Sequence, residues 1–387
     1  MPDMRWTNKL LFSSAITQGA VYVIRPMMIY RAIELDASAS VIGFIAAVYA
    51  LFPVLFALTF GRLVGRVGEG RFVIVGTFFI GVSALILIVA DNLIVVAIGA
   101  ALSGVAHLAC MVGGQTMVAL KSPTDKYDEH FGRYTFSASL GQMVGPILAT
   151  LVAGSTGVLP RSTSAAFALA LALSAVAMIP VISWRADVPT VRANYGDTGT
   201  FRAAGKLIKK PGMFAAIFTS LAISSTADIL VVILPLYGNE NQFSALSIGV
   251  IISIRAATSM TSRYFLGSLS TRFSTKKLLV GSNLISIVAC AAMAFAPNPI
   301  TLGVIVAIAG FSLGVGQPLT MSAVSQLSVP EERALAVSAR LTGNRLGQFL
   351  VPAGAGVLAA GSGTSAVFIA LSLLLASTFL APSKMSS

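Results

Sequence analysis

A short list of ionisable side chains stands inside long apolar runs: Arg25, His107, Asp228, Arg255, Arg340 and Arg345. On insertion scales a charged side chain at the centre of a bilayer costs ~2.5–3.5 kcal/mol, so each of these residues is expected to hold a partner or meet a ligand. Asp228 is the one acid deep in such a run. Burial favours the neutral form of a carboxyl group and a nearby guanidinium favours the charged form. A carboxylate balanced between the two takes up a proton when its cation moves away, so Asp228 is a proton-coupling candidate. The bland alternative is a counter-ion for Arg25 or Arg255 that fixes helix packing. His107 is a second candidate, because an imidazole changes charge near neutrality; its alternative is a packed histidine between Met and Gly. Arg25, Arg255 and Arg345 carry planar forks that match carboxylates and phosphates. Arg340, nearer one end of its run, reads as structural and able to snorkel outward.

Helical spacing groups the polar residues. Gln18, Tyr22 and Arg25 fall on one stripe, as do Ser220, Ser224 and Asp228. Asn344 and Gln348 form another stripe with Arg345 beside it, and His107, Met111 and Gln115 align. Tyr49, Phe52 and Phe56 give an aromatic face suited to an amphipathic ligand. Three arginines (25, 255 and 345) against Asp228 leave an excess of +2 in the apolar core. An anion is expected to complete that site, so a small amphipathic organic anion is the favoured ligand. The expected contacts are Arg25, Tyr22, Gln18, Tyr49, Phe52, Arg255, Arg345, Asn344 and Gln348.

The elements that position these residues are membrane spans. Of the 387 residues, 56% are hydrophobic and 10% charged, against about 25% charged in a soluble domain. A span needs ~20 mostly apolar residues. Twelve such runs are read, at 10–30, 40–60, 72–90, 93–119, 134–155, 163–183, 212–237, 245–266, 278–296, 299–326, 334–360 and 363–382. Hydrocarbon leaves these runs no choice but helix. The net charge of +12 is not a nucleic-acid signal, because the Lys and Arg residues gather in alternate connections. The N-terminus, the even-numbered connections and the C-terminus hold 20 of the 26, counting Arg263 with its adjoining connection; the odd ones hold Arg31 and Arg161. Both termini are therefore expected in the cytoplasm, in a bacterial-type inner membrane. Cys110 and Cys290 lie in apolar runs and suggest neither a disulfide nor a metal site. No nucleotide-binding loop, cofactor motif or metal-ligand cluster is read, and an enzyme is not expected.

The chain also repeats itself. Gly61, Leu63 and Arg66 recur as Gly267, Leu269 and Arg272, and Gly141, Gln142 and Pro146 recur as Gly347, Gln348 and Pro352, all 206 positions on. Two homologous halves are expected: a six-helix bundle at 1–183, a basic linker at 184–211 and a second six-helix bundle at 212–387. The linker carries a possible short amphipathic helix around Phe201–Ile208, with a solvated tether as the other reading. A duplicated membrane protein of this size reads as a secondary transporter with its site between the halves near the midplane.

Gly61-Arg-Leu-Val-Gly65-Arg66-Val-Gly68 resembles the loop motif of the major facilitator superfamily, Gly-x-x-x-Asp-Arg-x-Gly followed by basic residues. Gly267 to Arg272, followed by Lys276 and Lys277, is its partner in the second half. Gly141, Gly145 and Pro146 are similar to the Gly-x-x-x-Gly-Pro motif of the exporter (antiporter) branches. The resemblance covers the whole chain. It implies an all-α protein of twelve transmembrane helices in two pseudo-symmetric bundles, by default a monomer. It assigns gating to Gly61, Arg66, Gly68, Gly267 and Arg272, and helix packing to Gly141, Gly145 and Pro146. There are departures: Gly65 and Thr271 stand where the loop motif has Asp, with Glu69 a possible substitute. Ala100 stands where drug/proton exporters show Arg four residues before a Gly, here Gly104. The expected function is alternating-access, proton-coupled export of an amphipathic small molecule. The alternatives are an organic-anion uptake symporter, a cationic multidrug exporter using Asp228, and a non-transporting receptor or lipid-binding protein.

Overall fold

The computed structural model describes residues 5–122, 127–154, 157–186, 205–328 and 333–380. Its long helices are α1 (Arg5–Glu34), α2 (Ala39–Val67), α3 (Glu69–Ile88), α4 (Leu93–Lys121), α5 (Tyr127–Val152) and α6 (Thr163–Val181). They continue with α7 (Met213–Glu240), α8 (Ala245–Arg272), α9 (Thr275–Met293), α10 (Pro299–Gln326), α11 (Arg333–Ser362) and α12 (Thr364–Ser377). No strand occurs among the described residues. Nine of these helices are long and apolar enough to cross a membrane. The 30-residue α1 and α11 are more polar, and α12 is a 14-residue apolar helix. Exposed apolar side chains such as Ile94 (74%), Ile179 (70%) and Ile300 (81%) fit a protein whose outer surface meets lipid.

The chain forms two compact units. The first holds α1, α2 from Val48 onward, α3 to α6, and the start of α8 as far as Ser253. There α1 packs on α5 and α6, and α3 packs on α4 and α6. The second holds Ala39–Ala47 of α2, then α7, α8 from Ile254, and α9 to α12. There α7 packs on α11 and α10, and α9 packs on α10 and α12. The backbone N–H of Ala245 donates to Gly157 O at 2.9 Å, tying the start of α8 to the first unit.

Helix ends overrun the apolar runs, and this corrects one expectation. The stretches Gly61–Arg66 and Gly267–Arg272, read as loops, are helical backbone: α2 continues to Val67 and α8 to Arg272. Once an α-helix has begun, each further residue adds a hydrogen bond, and polar residues extend it beyond the hydrocarbon. Nothing beyond the backbone is described for Gly61, Arg66 and Gly267. The turn falls instead at Gly68, with φ 102°, a left-handed conformation that suits glycine. At the matching turn of the second half, Ser274 keeps φ at −63° and caps α9 through the Lys277 N–H.

Most of the expected linker at 184–211 lies outside the described residues. Of the expected helix at Phe201–Ile208, residues 205–208 are described and helical. Leu207 is 2% exposed and packs with Met213, Ala216, Ala323 and Val324, so this end of the connection is docked rather than a free tether.

Candidate functional site

In the first unit the α1 stripe meets α2 and α4. The Gln18 amide nitrogen lies 2.9 Å from His107 Nε2 and donates to Met111 Sδ at 3.2 Å. The other ring nitrogen, His107 Nδ1, lies 2.7 Å from the Tyr49 hydroxyl. Tyr49 in turn presents its ring to Arg25, whose guanidinium carbon is 4.8 Å from the Tyr49 centroid and 5.5 Å from that of Tyr22. Each such cation–π contact contributes ~0.5–2 kcal/mol, more where water is excluded. Gln18, Tyr22, Arg25 and Tyr49 are all buried, and His107 is half-buried. Sequence spacing aligned the α1 residues but did not join them to His107, which the fold places between Gln18 and Tyr49.

Two close helix approaches make this possible. A Cβ at Gly104 of α4 would strike the Tyr49 carbonyl, so glycine brings α2 onto α4 beside His107. A Cβ at Gly141 would strike Ala15 O and the Gly19 N–H, and one at Gly145 would meet Gly19 O and the Tyr22 side chain. The α5 helix therefore lies directly against the back of the Gln18–Tyr22 stripe. Pro146 lies inside α5, and the Thr150 hydroxyl donates to its carbonyl. Phe52 is not in the hydrogen-bonded group. It begins a run of stacked rings along α2, 6.1 Å from Phe56, which is 6.0 Å from Phe60.

The Gln18 amide carries further information. Its Oε1 is buried without a hydrogen-bond partner. An amide nitrogen donating to His107 Nε2 requires the tautomer with its proton on Nδ1, toward Tyr49. A second proton on Nε2 would turn that contact into donor against donor, and rotation of the amide would bring Oε1 to meet it.

The second unit is charged where the first is aromatic. Arg255 of α8 is 6% exposed, and its Nε has no hydrogen-bond partner. No hydrogen bond or ion pair from its guanidinium is found among the described residues. On α11, Asn344 Oδ1 accepts from Ser220 Oγ at 2.9 Å, and Arg345 donates to Gln348 Oε1 at 2.9 Å. Asp228 is half-buried on the Ser220–Ser224 stripe of α7. Arg340 does not snorkel: it is 7% exposed and donates to Gln317 O at 2.9 Å and Thr320 Oγ1 at 3.2 Å. Its fork ties α11 to α10, where main-chain and hydroxyl acceptors replace water. Arg272 is exposed at the end of α8. Glu69 is 4% exposed at the start of α3 and pairs with Lys121 at 3.8 Å. No group of His, Cys, Asp and Glu able to hold a metal occurs among the described residues.

This helical pair of units has clear relatives. Solved structures with the same fold include the nucleoside transporter NupG, with a TM-score of 0.80 at 13% identity over 99% of this chain and 100% of that one. A POT family transporter in complex with 5-aminolevulinic acid gives a TM-score of 0.81 at 14% identity over 99% and 97%. A multi-drug resistance efflux pump PmrA homolog of Lactococcus lactis is 24% identical over 56% of this chain, a match that spans about half of that protein (53%). The multidrug resistance protein MdtG of Escherichia coli is 24% identical over 74% of this chain and 69% of that one. The model of the Major Facilitator Superfamily matches residues 10–247 and again 216–384. This multi-pass membrane protein belongs to the Major Facilitator Superfamily of transporters.

Proposed function

We propose that this transporter exports small amphipathic molecules, organic anions favoured, in exchange for protons, and that it works by alternating access. It acts as a monomer in a bacterial-type inner membrane, with both termini in the cytoplasm. The observation that carries the choice of an anion is Arg255, a residue 6% exposed overall whose guanidinium makes no hydrogen bond or ion pair among the described residues. A desolvated cation is costly until an anion meets it. Arg345, which donates to the neutral Gln348 side chain, adds a second positive charge without adding a negative one. Export is supported by the similarity to a protein named as a multi-drug resistance efflux pump, and by the close α1–α5 approach at Gly141 and Gly145.

In this reading Arg255 and Arg345 of the second unit hold the acidic group of the substrate, and Tyr22, Tyr49 and Phe52 of the first unit serve as apolar contacts. Asp228 and His107 handle protons. His107 has Gln18 Oε1 at hand for a second proton, and Asp228 gains or loses one as its surroundings change between the two access states. The inner ends of α2 and α8, with Arg66 and Arg272, close the cytoplasmic gate. One observation favours a second reading. Both relatives are named for multidrug resistance, and the half-buried carboxylate of Asp228 would suit a cationic drug.

Thermal stability of the purified protein against matched amphipathic anions and cations separates the two readings. Stabilisation by anions, lost in Arg255→Ala and Arg345→Ala, supports the first reading and leads to a flux assay in proteoliposomes. Stabilisation by cations alone, lost in Asp228→Asn, removes it in favour of the second.

A further inference from the structure

The second unit contains a hollow of about 420 Å³ between α7, α9, α10 and the 3-10 turn that follows α12. It lies at the end of the unit where α9 begins and α10 finishes, the end that the basic connections assign to the cytoplasm. Its size falls within the ~300–1,000 Å³ of small-molecule pockets. The repeat supplies part of the reason it is open, beside the place where Leu207 packs on Ala216 and Ala323. Ala216, Leu279 and Ala323 line it, and 206 positions earlier stand Leu10, Val73 and Met117. Those three pack together with Tyr134, Val181 and Trp184 in the core of the first unit. Two large side chains have become alanine, and the tyrosine has become Arg340, whose fork turns to Gln317 and Thr320.

The wall of the hollow also carries an unmet polar group. Asn283 is 4% exposed. Its amide nitrogen donates to Leu375 O at 3.2 Å and to Thr378 Oγ1 at 2.6 Å. The first of these partners can only accept, and the second gives its own proton to Leu375 O. The amide orientation is therefore fixed, and Oδ1 is left as a buried acceptor without a partner. A buried acceptor left unmet costs ~1–3 kcal/mol, so it calls for a donor. Thr77, its counterpart in the first half, instead contacts Cys110 Sγ at 3.6 Å. The exposed Lys276 stands at the rim as a cation.

We infer that this hollow is a second binding site, separate from the transport site, for a small, mostly apolar acid that carries an O–H or N–H donor. The donor meets Asn283 Oδ1, the acidic group meets Lys276, and the apolar body fills the space that Leu10 and Met117 occupy in the other half. The site touches the transport machinery through α7: Thr219 lines the hollow, and the next residue, Ser220, holds Asn344. Its occupant therefore acts as a modulator.

The test uses the full chain in lipid nanodiscs with para-hydroxyphenylpropionate as probe and phenylpropionate as its donor-free match. Saturable binding is expected for both, about two- to tenfold tighter for the hydroxylated acid, as one hydrogen bond allows. Ala323→Met, which copies the first half, should abolish both, with Ala216→Leu as a second plug if the first variant does not fold. Asn283→Thr should erase the preference for the hydroxyl, and Arg345→Ala should leave both affinities unchanged. Wild-type binding in the plugged variant, loss in Arg345→Ala, or no saturable binding of either acid would overturn the proposal.

Discussion

The two units share sequence landmarks 206 positions apart and differ in how they are finished. The first closes the end where α3 begins with large apolar side chains and the Glu69–Lys121 pair, and it builds its polar group from neutral or ring-bound partners. The second leaves a hollow where α9 begins and carries Arg255, Arg345 and Asp228. Backbone geometry survives duplication because glycine and proline landmarks fix where helices touch. Chemistry diverges at the positions that face open space, where substitution costs little packing. The first unit thus joins its polar side chains to one another, and the second keeps Arg255 without a hydrogen bond or ion pair among the described residues.

The packing landmarks test the shared part of that comparison and should give the largest effect. A Cβ at Gly141 would strike the α1 backbone, which cannot move aside, whereas one at Gly347 would meet the side chains of Ser225 and Leu221. Overpacking costs ~1–3 kcal/mol, and the backbone case belongs at or above the top of that range. Gly141→Ala should lower the melting temperature by about 5 °C or more, and Gly347→Ala by clearly less. Equal losses would mean that both crossings are equally rigid.

The arginines test the divergent part. Removing an unpartnered buried cation relieves a desolvation cost, so Arg255→Ala should raise the melting temperature of the ligand-free protein. Arg25→Ala gives up two ring contacts and should lower it. In anion binding, Arg255→Ala should cost about ten- to hundredfold, the value of a charged hydrogen bond. A ligand-free protein destabilised by Arg255→Ala would show that Arg255 is structural. Asp228→Asn and His107→Gln separate the proton carriers. If Asp228 couples, its neutral amide removes the pH dependence of flux and leaves binding measurable, while His107→Gln preserves the coupling and shifts only its pH profile. The opposite pattern would move coupling to the first unit.

Much of this was legible in the sequence, for physical reasons. The apolar runs reveal helices, because hydrocarbon admits little else, and the offset between Gly141 and Gly347 places both glycines at close helix contacts. The Gln18, Tyr22 and Arg25 stripe follows from helical periodicity alone. Helix ends were not legible: α2 and α8 run through glycine and charge to Val67 and Arg272, where water no longer penalises polarity. The joining of His107 to Tyr49 depends on a crossing at Gly104 that a single helix does not encode. Asn283 was missed altogether, although a signal existed: subtracting 206 pairs Ala216 with Leu10 and Ala323 with Met117, and that loss of volume marks the hollow.

The smallest expected effect concerns the ion pair that the second unit lacks. Thr275 and Leu327 stand 206 positions beyond Glu69 and Lys121. Glu69 is buried and the Lys121 side chain is 25% exposed, with the charges 3.8 Å apart. A pair this open on one side contributes about 1 kcal/mol. Lys121→Leu should therefore lower the melting temperature by about 2–4 °C, since Glu69 keeps its charge and loses a cation. Adding Glu69→Thr reproduces the second unit at both positions and should recover most of that loss, because no buried charge remains to be compensated. Recovery in the double variant would show that the pair and its apolar replacement are interchangeable ways to join α3 to α4. Persistent loss would show that Glu69 holds the inner end of the first unit through more than Lys121, as a stand-in for the acid missing at Gly65 would.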